Sequence, residues 1–401
     1  PIVSIPASIE AGLKPYRSYF SRSESFAHFQ EYCTGLVVLE KPSIRRMAQC
    51  FVAGPSQSSL NKTLTRSPWS AEAVNAERLA RLESRHRSGL TVGIIDSTLL
   101  HHPRSKQMYG VYKYWDYVNG CYTHALQLVT AAISTQDRLD GFDYRIYHRS
   151  FEQQEQLYLA HSGVEQDTRE REPYLRRLCE LLHFALHRRQ AKTKPELAVE
   201  LIDELEASGV APNVYAVDNG LFAPMVIARI EHYGKPWVAD SEKNRVLFYK
   251  GRRTHCEDFE ASLPDEAFRE VTVRIRGQER TYWAFTCTVR IRKYGKVRLA
   301  IIYDNPNRRG TPKYVFTNML VWNLTKIVLV RAHRWDIEPF HEQIKQVLGA
   351  EDRQLRTETG IRKHLTGVFV VNSLLNDLDL TKPIGELPMD CLLYTSDAAD
   401  E

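Results

Sequence analysis

The chain has 401 residues, with 54 Lys and Arg against 49 Asp and Glu and a formal net charge of +5. Its length suits more than one domain, and 43% hydrophobic with 10% aromatic residues supplies real cores, which excludes wholesale disorder. No apolar run reaches the roughly 18 residues of a membrane span, and scattered cysteines without a Cys-x-x-Cys pair exclude a zinc ribbon or a disulfide scaffold and fit a reducing compartment.

A pI near 8.7 permits a nucleic-acid partner without demanding one. The first residue is Pro1 rather than Met and no signal-like segment follows it, so the natural start is expected to be missing. Residues 1–88 read as a mainly helical region. Ser43 is placed to cap a helix carrying Arg45 and Arg46 in its first turn, and Ser70 to cap Ala71 to Glu83. Such helices can grip phosphates or present a solvated face, and DNA binding is the expectation for this region.

The texture changes at Gly89. Thr91-Val-Gly-Ile-Ile-Asp96 is a short apolar run ending in an acid, predicted as a buried strand. Further strands are predicted around 108–115, 124–133 and 142–148, then helices over 173–190 and 195–208, the second opened by Pro195 and stopped by Gly209. Asn213-Val-Tyr-Ala-Val-Asp218 is again an apolar strand ending in an acid. Asn219-Gly220 turns the chain into a helix near 222–233, and Pro236-Trp-Val-Ala239 is one more strand. This order predicts a mixed α/β sheet covered by helices over residues 89–239. From 240 to 318 short β segments alternate with turns such as Lys250-Gly251 and Asn305-Pro306-Asn307, an insertion rather than an independent domain. Helices over 318–331, 335–348 and 362–378 then complete the core, counted as residues 319–380, with 381–401 as a tail.

Asp96 and Asp218 each end an apolar strand, where an unpaired carboxylate is costly to bury. One such acid is commonly a cap for the next turn. Two at like ends of neighbouring strands can converge on divalent metal, because hard cations prefer carboxylate oxygen. Arg334-Trp-Asp-Ile-Glu338 through Lys345 is the densest motif. On one helix Arg334, Glu338, Glu342 and Lys345 would share a face, with Ile337, Phe340 and Ile344 turned to a core. An ordinary charge ladder would have the same spacing.

Together, Ile94-Ile-Asp-Ser-Thr98, Val217-Asp-Asn-Gly220 and Arg334 through Lys345 resemble the DDE transposase superfamily, most closely the transposases of type-4-like bacterial insertion sequences. Arg334, Glu338 and Lys345 keep the spacing of their Tyr-x2-Arg-x3-Glu-x6-Lys signature; Arg331 stands where the tyrosine would be and can supply a phosphate contact instead. The resemblance implies a ribonuclease-H-like catalytic core, the β-rich insertion before the last catalytic helix, and Asp96, Asp218 and Glu338 as the triad holding two Mg²⁺ or Mn²⁺ ions. It further implies cleavage at element ends and transfer of the 3′-hydroxyl into target DNA. The partners would be double-stranded DNA (terminal repeats and target) and a second copy of the chain, in the bacterial cytoplasm at the nucleoid. A nuclease or resolvase on the same core, or an inactive DNA-binding descendant, are the alternatives.

Arg334 and Lys345 would neutralise phosphates beside the triad. Arg290, Arg292, Lys293 and Arg298 belong to a basic stretch between Thr288 and Lys313 in which Asp304 is the acid, and phosphate binding is expected there. Trp237, Tyr282 and Trp283 are either core or platforms for an unpaired base. Cys179, His183 and His187 recur every four residues, but Phe184 stands where a zincin needs Glu, so a structural arrangement is expected. His101 and His102 are expected in a loop or near DNA rather than as ligands. Cys391 to Glu401 resembles a translated sequencing adapter; without it the chain loses three acids and no base and becomes more basic.

Overall fold

The computed structural model describes residues 2–85, 89–105, 108–116, 118–148, 192–352 and 355–377. The helix expected over 173–190 with Cys179, His183 and His187, and the tail at 391–401, lie outside the described residues.

Five helices open the chain: α1 (Ala7–Leu13), α2 (Ser23–Val38), α3 (Ile44–Cys50), α4 (Gln57–Thr65) and α5 (Ala71–Glu83). Ser43 accepts from the Arg46 amide and Ser70 from the Ala73 amide, so each serine satisfies an amide that has no partner within its own helix. The helices close on an aromatic cluster in which Phe20 lies 5.0 Å from Phe29 and 5.3 Å from Trp69, ring to ring. Arg45 and Arg46 remain exposed.

The sheet begins with β1 (Val92–His101), β2 (Val111–Asp116), β3 (Cys121–Ser134) and β4 (Leu139–Ile146), with β3 antiparallel to each of the other three. After α6 (Lys194–Ala207) the chain enters β5 (Val214–Val217), and after α7 (Pro224–His232) it enters β6 (Trp237–Ser241). β5 lies parallel to β1 and β6 parallel to β5. All four residues of β5 are buried, the pattern of a strand covered on both faces. Along β1, Ile94 and Ile95 point into the two different cores, one on each side of the sheet. The mixed sheet flanked by helices is thus as expected, and it is compatible with a ribonuclease-H-like core.

The β-rich segment supplies β7 (Val246–Tyr249), β8 (Arg252–His255), helix α8 (Cys256–Ala261), β9 (Arg269–Ile275), β10 (Gln278–Ile291), β11 (Gly295–Tyr303) and β12 (Lys313–Thr317). β12 pairs antiparallel with β6, so these strands extend the core sheet to twelve strands instead of forming a separate one. The open edge of β6 is satisfied in this way. The boundary expected between 239 and 240 therefore falls inside β6. β8 was not expected, because Arg252-Arg-Thr-His255 is too polar to read as a strand; the Lys250-Gly251 turn, with φ of 46° and 80°, folds it back on β7.

The chain returns to helix in α9 (Leu324–Arg334), α10 (Ile337–Glu342) and α11 (Glu358–Asp377), with a π turn over Gln343–Val347. α9 starts later than the expected 318 because Asn323 caps it, accepting from the Lys326 amide. The helix expected over 335–348 is present from Ile337 to Val347, as α10 continued by the π turn; Pro339 lies in its first turn, where a missing amide costs no helical hydrogen bond. Ile337, Phe340 and Ile344 are buried. Gly141 on β4 makes room for Phe340, since a Cβ there would meet its ring atoms at 2.6 Å. Gly141→Ala is expected to lower stability by about 1–3 kcal/mol through overpacking. A thermal midpoint equal to the parent's would contradict this contact.

Candidate active site

Register brings the acids together. Ile95 pairs with Val217 and Val217 with Ala239, so the next residues, Asp96, Asp218 and Asp240, stand in one row across β1, β5 and β6. Asp96 is 8% exposed and one of its oxygens accepts from the Ser97 amide at 2.6 Å. Asp218 is more open, and one oxygen accepts from the Gly220 amide at 3.0 Å. Each acid thus has a local capping bond of the ordinary kind, and each turns its other oxygen towards α9.

Arg334, the last residue of α9, reaches the whole row. Its Nη1 lies 3.4 Å from Asp96 Oδ2 and 3.4 Å from Asp218 Oδ1, and its Nη2 lies 2.8 Å from Asp240 Oδ2. Arg331, one turn earlier, places Nε 3.3 Å from Asp240 Oδ1 and its guanidinium over the Trp335 ring. The break after α9 is held by a buried network: Asp336 accepts from Ser134 Oγ at 2.8 Å, pairs with Arg276, and Ser134 Oγ meets His333 Nδ1 at 2.7 Å. Glu338 then sits in the first turn of α10, exposed, on a cavity of about 330 Å³ that it shares with Asp218, Asp240, Arg331, Arg334 and Trp335.

The electrostatics follow from this crowding. Burial and the neighbouring Asp218 carboxylate push the Asp96 carboxyl up to about 8, against the pull of Arg334. Partial loss of water on its cavity side likewise raises Glu338, although much of its surface stays exposed, with Arg334 and Arg331 opposing. Burial alone would lower Arg334, but Asp240, Asp96 and Asp218 together hold it above its ordinary value. Lys345, in the π turn, is lowered by burial while Glu351, Asp116 and Asp96 act to raise it.

Among the described residues no three His, Cys, Asp or Glu side chains form a ready metal-ligand group, and the guanidinium of Arg334 stands among the acids. The donor set nonetheless fits a hard divalent cation. It is purely carboxylate, and loss of water, with the Asp218 charge adding to it, holds Asp96 and Glu338 above their ordinary values.

Other residues are placed differently from one another. Arg290, Arg292 and Lys293 are exposed while Val289 and Ile291 are buried, so one face of this strand end is basic. Arg298 turns inward, its Nε donating to Thr286 Oγ1 and its Nη1 to the Leu320 carbonyl. Through β12 and β11, register puts Arg290 four residues along the strands from the row of Asp240. At ordinary strand spacings that is roughly 20 Å from the acids. Arg331 is 4% exposed and engaged with Asp240, so it presents little to an incoming phosphate. Trp237 and Tyr282 are buried in the two different cores, and Trp283 packs partly buried against the core that holds Trp237. Exposed aromatics stand instead at Trp115 and Tyr122 on the β2–β3 hairpin and at Trp335. His101 ends β1, held between Glu351 and Asp116, and His102 is buried.

Asp240 is the residue that sequence reasoning missed. The signal was present: Pro236-Trp-Val-Ala-Asp240 is an apolar run ending in an acid, as in the two strands before it.

A protein-family profile described as DDE superfamily endonuclease matches residues 15–258, a span that holds Asp96, Asp218 and Asp240 and ends before Glu338. No curated protein matches the chain. Among solved structures, the NurA nuclease from Sulfolobus solfataricus aligns over 66% of this chain and 81% of its own, at 9% identity and a TM-score of 0.28, too loose a likeness to bear on function. Among the described residues no helix is long and apolar enough to cross a membrane.

Proposed function

We propose that this chain, which belongs to the DDE superfamily of endonucleases, is the transposase of a bacterial insertion sequence of the type-4-like group, cutting double-stranded DNA at the element's ends and joining the 3′-hydroxyl to target DNA. The observation that carries this reading is the meeting of Asp218 and Glu338 on one cavity, with Asp96 one strand away and close enough for both to act on its charge.

Asp96, Asp218 and Glu338 would hold two Mg²⁺ or Mn²⁺ ions. When bound, these would activate the attacking oxygen and stabilise the leaving one. The chain's own contribution is placement. β1 and β5 fix two carboxylates by register, α10 brings the third, and Trp335 walls the cavity. Arg334 and Lys345 offset phosphate charge beside them, Arg334 by paired donors and Lys345 as a point charge. Arg290, Arg292 and Lys293 would grip the duplex farther along, and Arg298 would support that face. A dimer on paired ends, working at the nucleoid in the cytoplasm, completes the proposal.

The test is Mg²⁺-dependent cleavage of a duplex carrying the element's terminal repeats. Cutting confined to those ends supports a transposase, equal cutting of any duplex favours a general nuclease, and binding without cutting favours an inactive descendant.

Proton linkage supplies a second expectation. The Asp96 carboxyl is held at about 8, above the ordinary 3.8, so the metal-free folded chain keeps a proton there through neutral pH. Metal binding needs the carboxylate and must release that proton. Mn²⁺ affinity is therefore expected to rise with pH up to about 8 and to level off above it. Calorimetry at about pH 6.5 and about pH 9 reads this out. An affinity that is flat or falls across this range would contradict the placement of Asp96.

A further inference from the structure

The acid row carries one carboxylate more than the proposed triad. Asp240 is gripped by two guanidiniums, Arg331 on Oδ1 at 3.3 Å and Arg334 on Oδ2 at 2.8 Å. Arg334 holds its other partners more loosely, at 3.4 Å to both Asp96 and Asp218. Arg334 is therefore tight on the acid outside the triad and slack on the two acids inside it.

Neither arginine is fully satisfied. Arg334 Nε and Arg331 Nη2 are buried without a hydrogen-bond partner among the described residues. Both side chains are almost fully buried, so a guanidinium that lost its carboxylate here would be an uncompensated buried charge. A cation entering between Asp96 and Asp218 must displace Arg334 Nη1. It can do so at low cost only if Arg334 keeps a carboxylate elsewhere.

We propose that Asp240 is a positioning residue that retains Arg334 beside the acid row, so that a divalent cation can take Asp96 and Asp218 from it. The proposal rests on the metal-site reading above. Asp240 acts through Arg334 and does not itself hold the metal: two guanidiniums grip it, at 3.3 and 2.8 Å, whereas Asp96 and Asp218 each meet one guanidinium, at 3.4 Å. Without the Asp240 charge, Arg334 keeps its ion pairs with Asp96 and Asp218 and competes with the cation for them. The two features that depart from expectation, Arg331 in the signature's tyrosine position and an acid after the apolar run of β6, are thereby partners in one ion pair.

The test is Mn²⁺ affinity of the full chain without DNA, by calorimetry or water-proton relaxation. Asp240→Asn is expected to weaken binding by about 10–100-fold, the range for groups that orient metal ligands. In Asp240→Asn/Arg334→Gln the competitor is gone, so affinity is expected to return to that of Arg334→Gln alone, a non-additivity that general loosening of the site would not produce. Unchanged binding in Asp240→Asn overturns the proposal. A double variant weaker than Arg334→Gln alone overturns it too, and makes Asp240 a ligand. If Asp240→Asn does not fold, Arg334→Gln alone decides: with the competitor gone, Mn²⁺ binding is expected to be at least as tight as in the parent, and weaker binding overturns the proposal. A parent chain that binds no Mn²⁺ overturns the metal-site reading itself, a result distinct from the others.

Discussion

Glu338→Ala is expected to lower Mg²⁺-dependent cleavage by more than about a hundredfold, beyond the 10–100-fold typical of groups that only orient a ligand. Glu338 is exposed at the start of α10 and has no packing role that the fold depends on. Its removal should therefore leave the thermal midpoint nearly unchanged, as for an ordinary surface substitution of about ±0.5 kcal/mol. The pairing of lost activity with kept stability is the informative result. Glu342 is the control: it shares the helical spacing expected of a charge ladder and is also exposed, but it lies off the cavity. Glu342→Ala should cut at close to the parent rate. Equal cleavage by the parent and Glu338→Ala would remove Glu338 from the site, and equal losses in both glutamate variants would point to the helix instead.

The largest effect on stability is expected at Arg78. This residue of α5 is 1% exposed, donates to Asn75 Oδ1 at 2.8 Å and to the Gly141 carbonyl at 2.9 Å, and also donates to the Phe142 carbonyl. Its guanidinium lies 5.3 Å from the centre of the Phe369 ring on α11. One side chain therefore ties the N-terminal helices to β4 and to the last helix. Arg78→Ala leaves buried acceptors unmatched and opens a cavity, and is expected to cost roughly 3–5 kcal/mol. Arg78→Lys should recover little, since a point charge cannot serve two carbonyls and an amide oxygen in a fixed fork. Urea unfolding measures both. A loss below about 1 kcal/mol in the alanine variant would show that these contacts contribute no more than an average hydrogen bond. The N-terminal region is packed accordingly: Tyr32 of α2 also hydrogen-bonds His364 of α11, and the two share one core.

Residues 1–88 and 240–318 show where local reading stops. Ser43 and Ser70 were legible as caps because a cap and its helix are a few residues apart. Whether those helices stand alone was not legible, because Arg78 and Tyr32 find their partners far along the chain. The short β segments after Ser241 were legible from alternation and turns. That β12 would complete the edge of β6 was not, since an open edge specifies a need and not the strand that meets it.

The site divides along the same line. The amino-acid sequence by itself determined that acids end the apolar runs at Asp96 and Asp218, and that Arg334 and Glu338 share a helical spacing, since these are properties of neighbours along the chain. Only the tertiary structure decided that Asp240 completes a row with them, that Arg331 is buried against it, and that Arg334 lies between carboxylates 238 and 116 residues away. Strand register and helix docking bury these charges from distant segments within 4 Å of one another, and burial together with their mutual field, both absent from any local pattern, sets which carboxyl keeps its proton and which guanidinium is held.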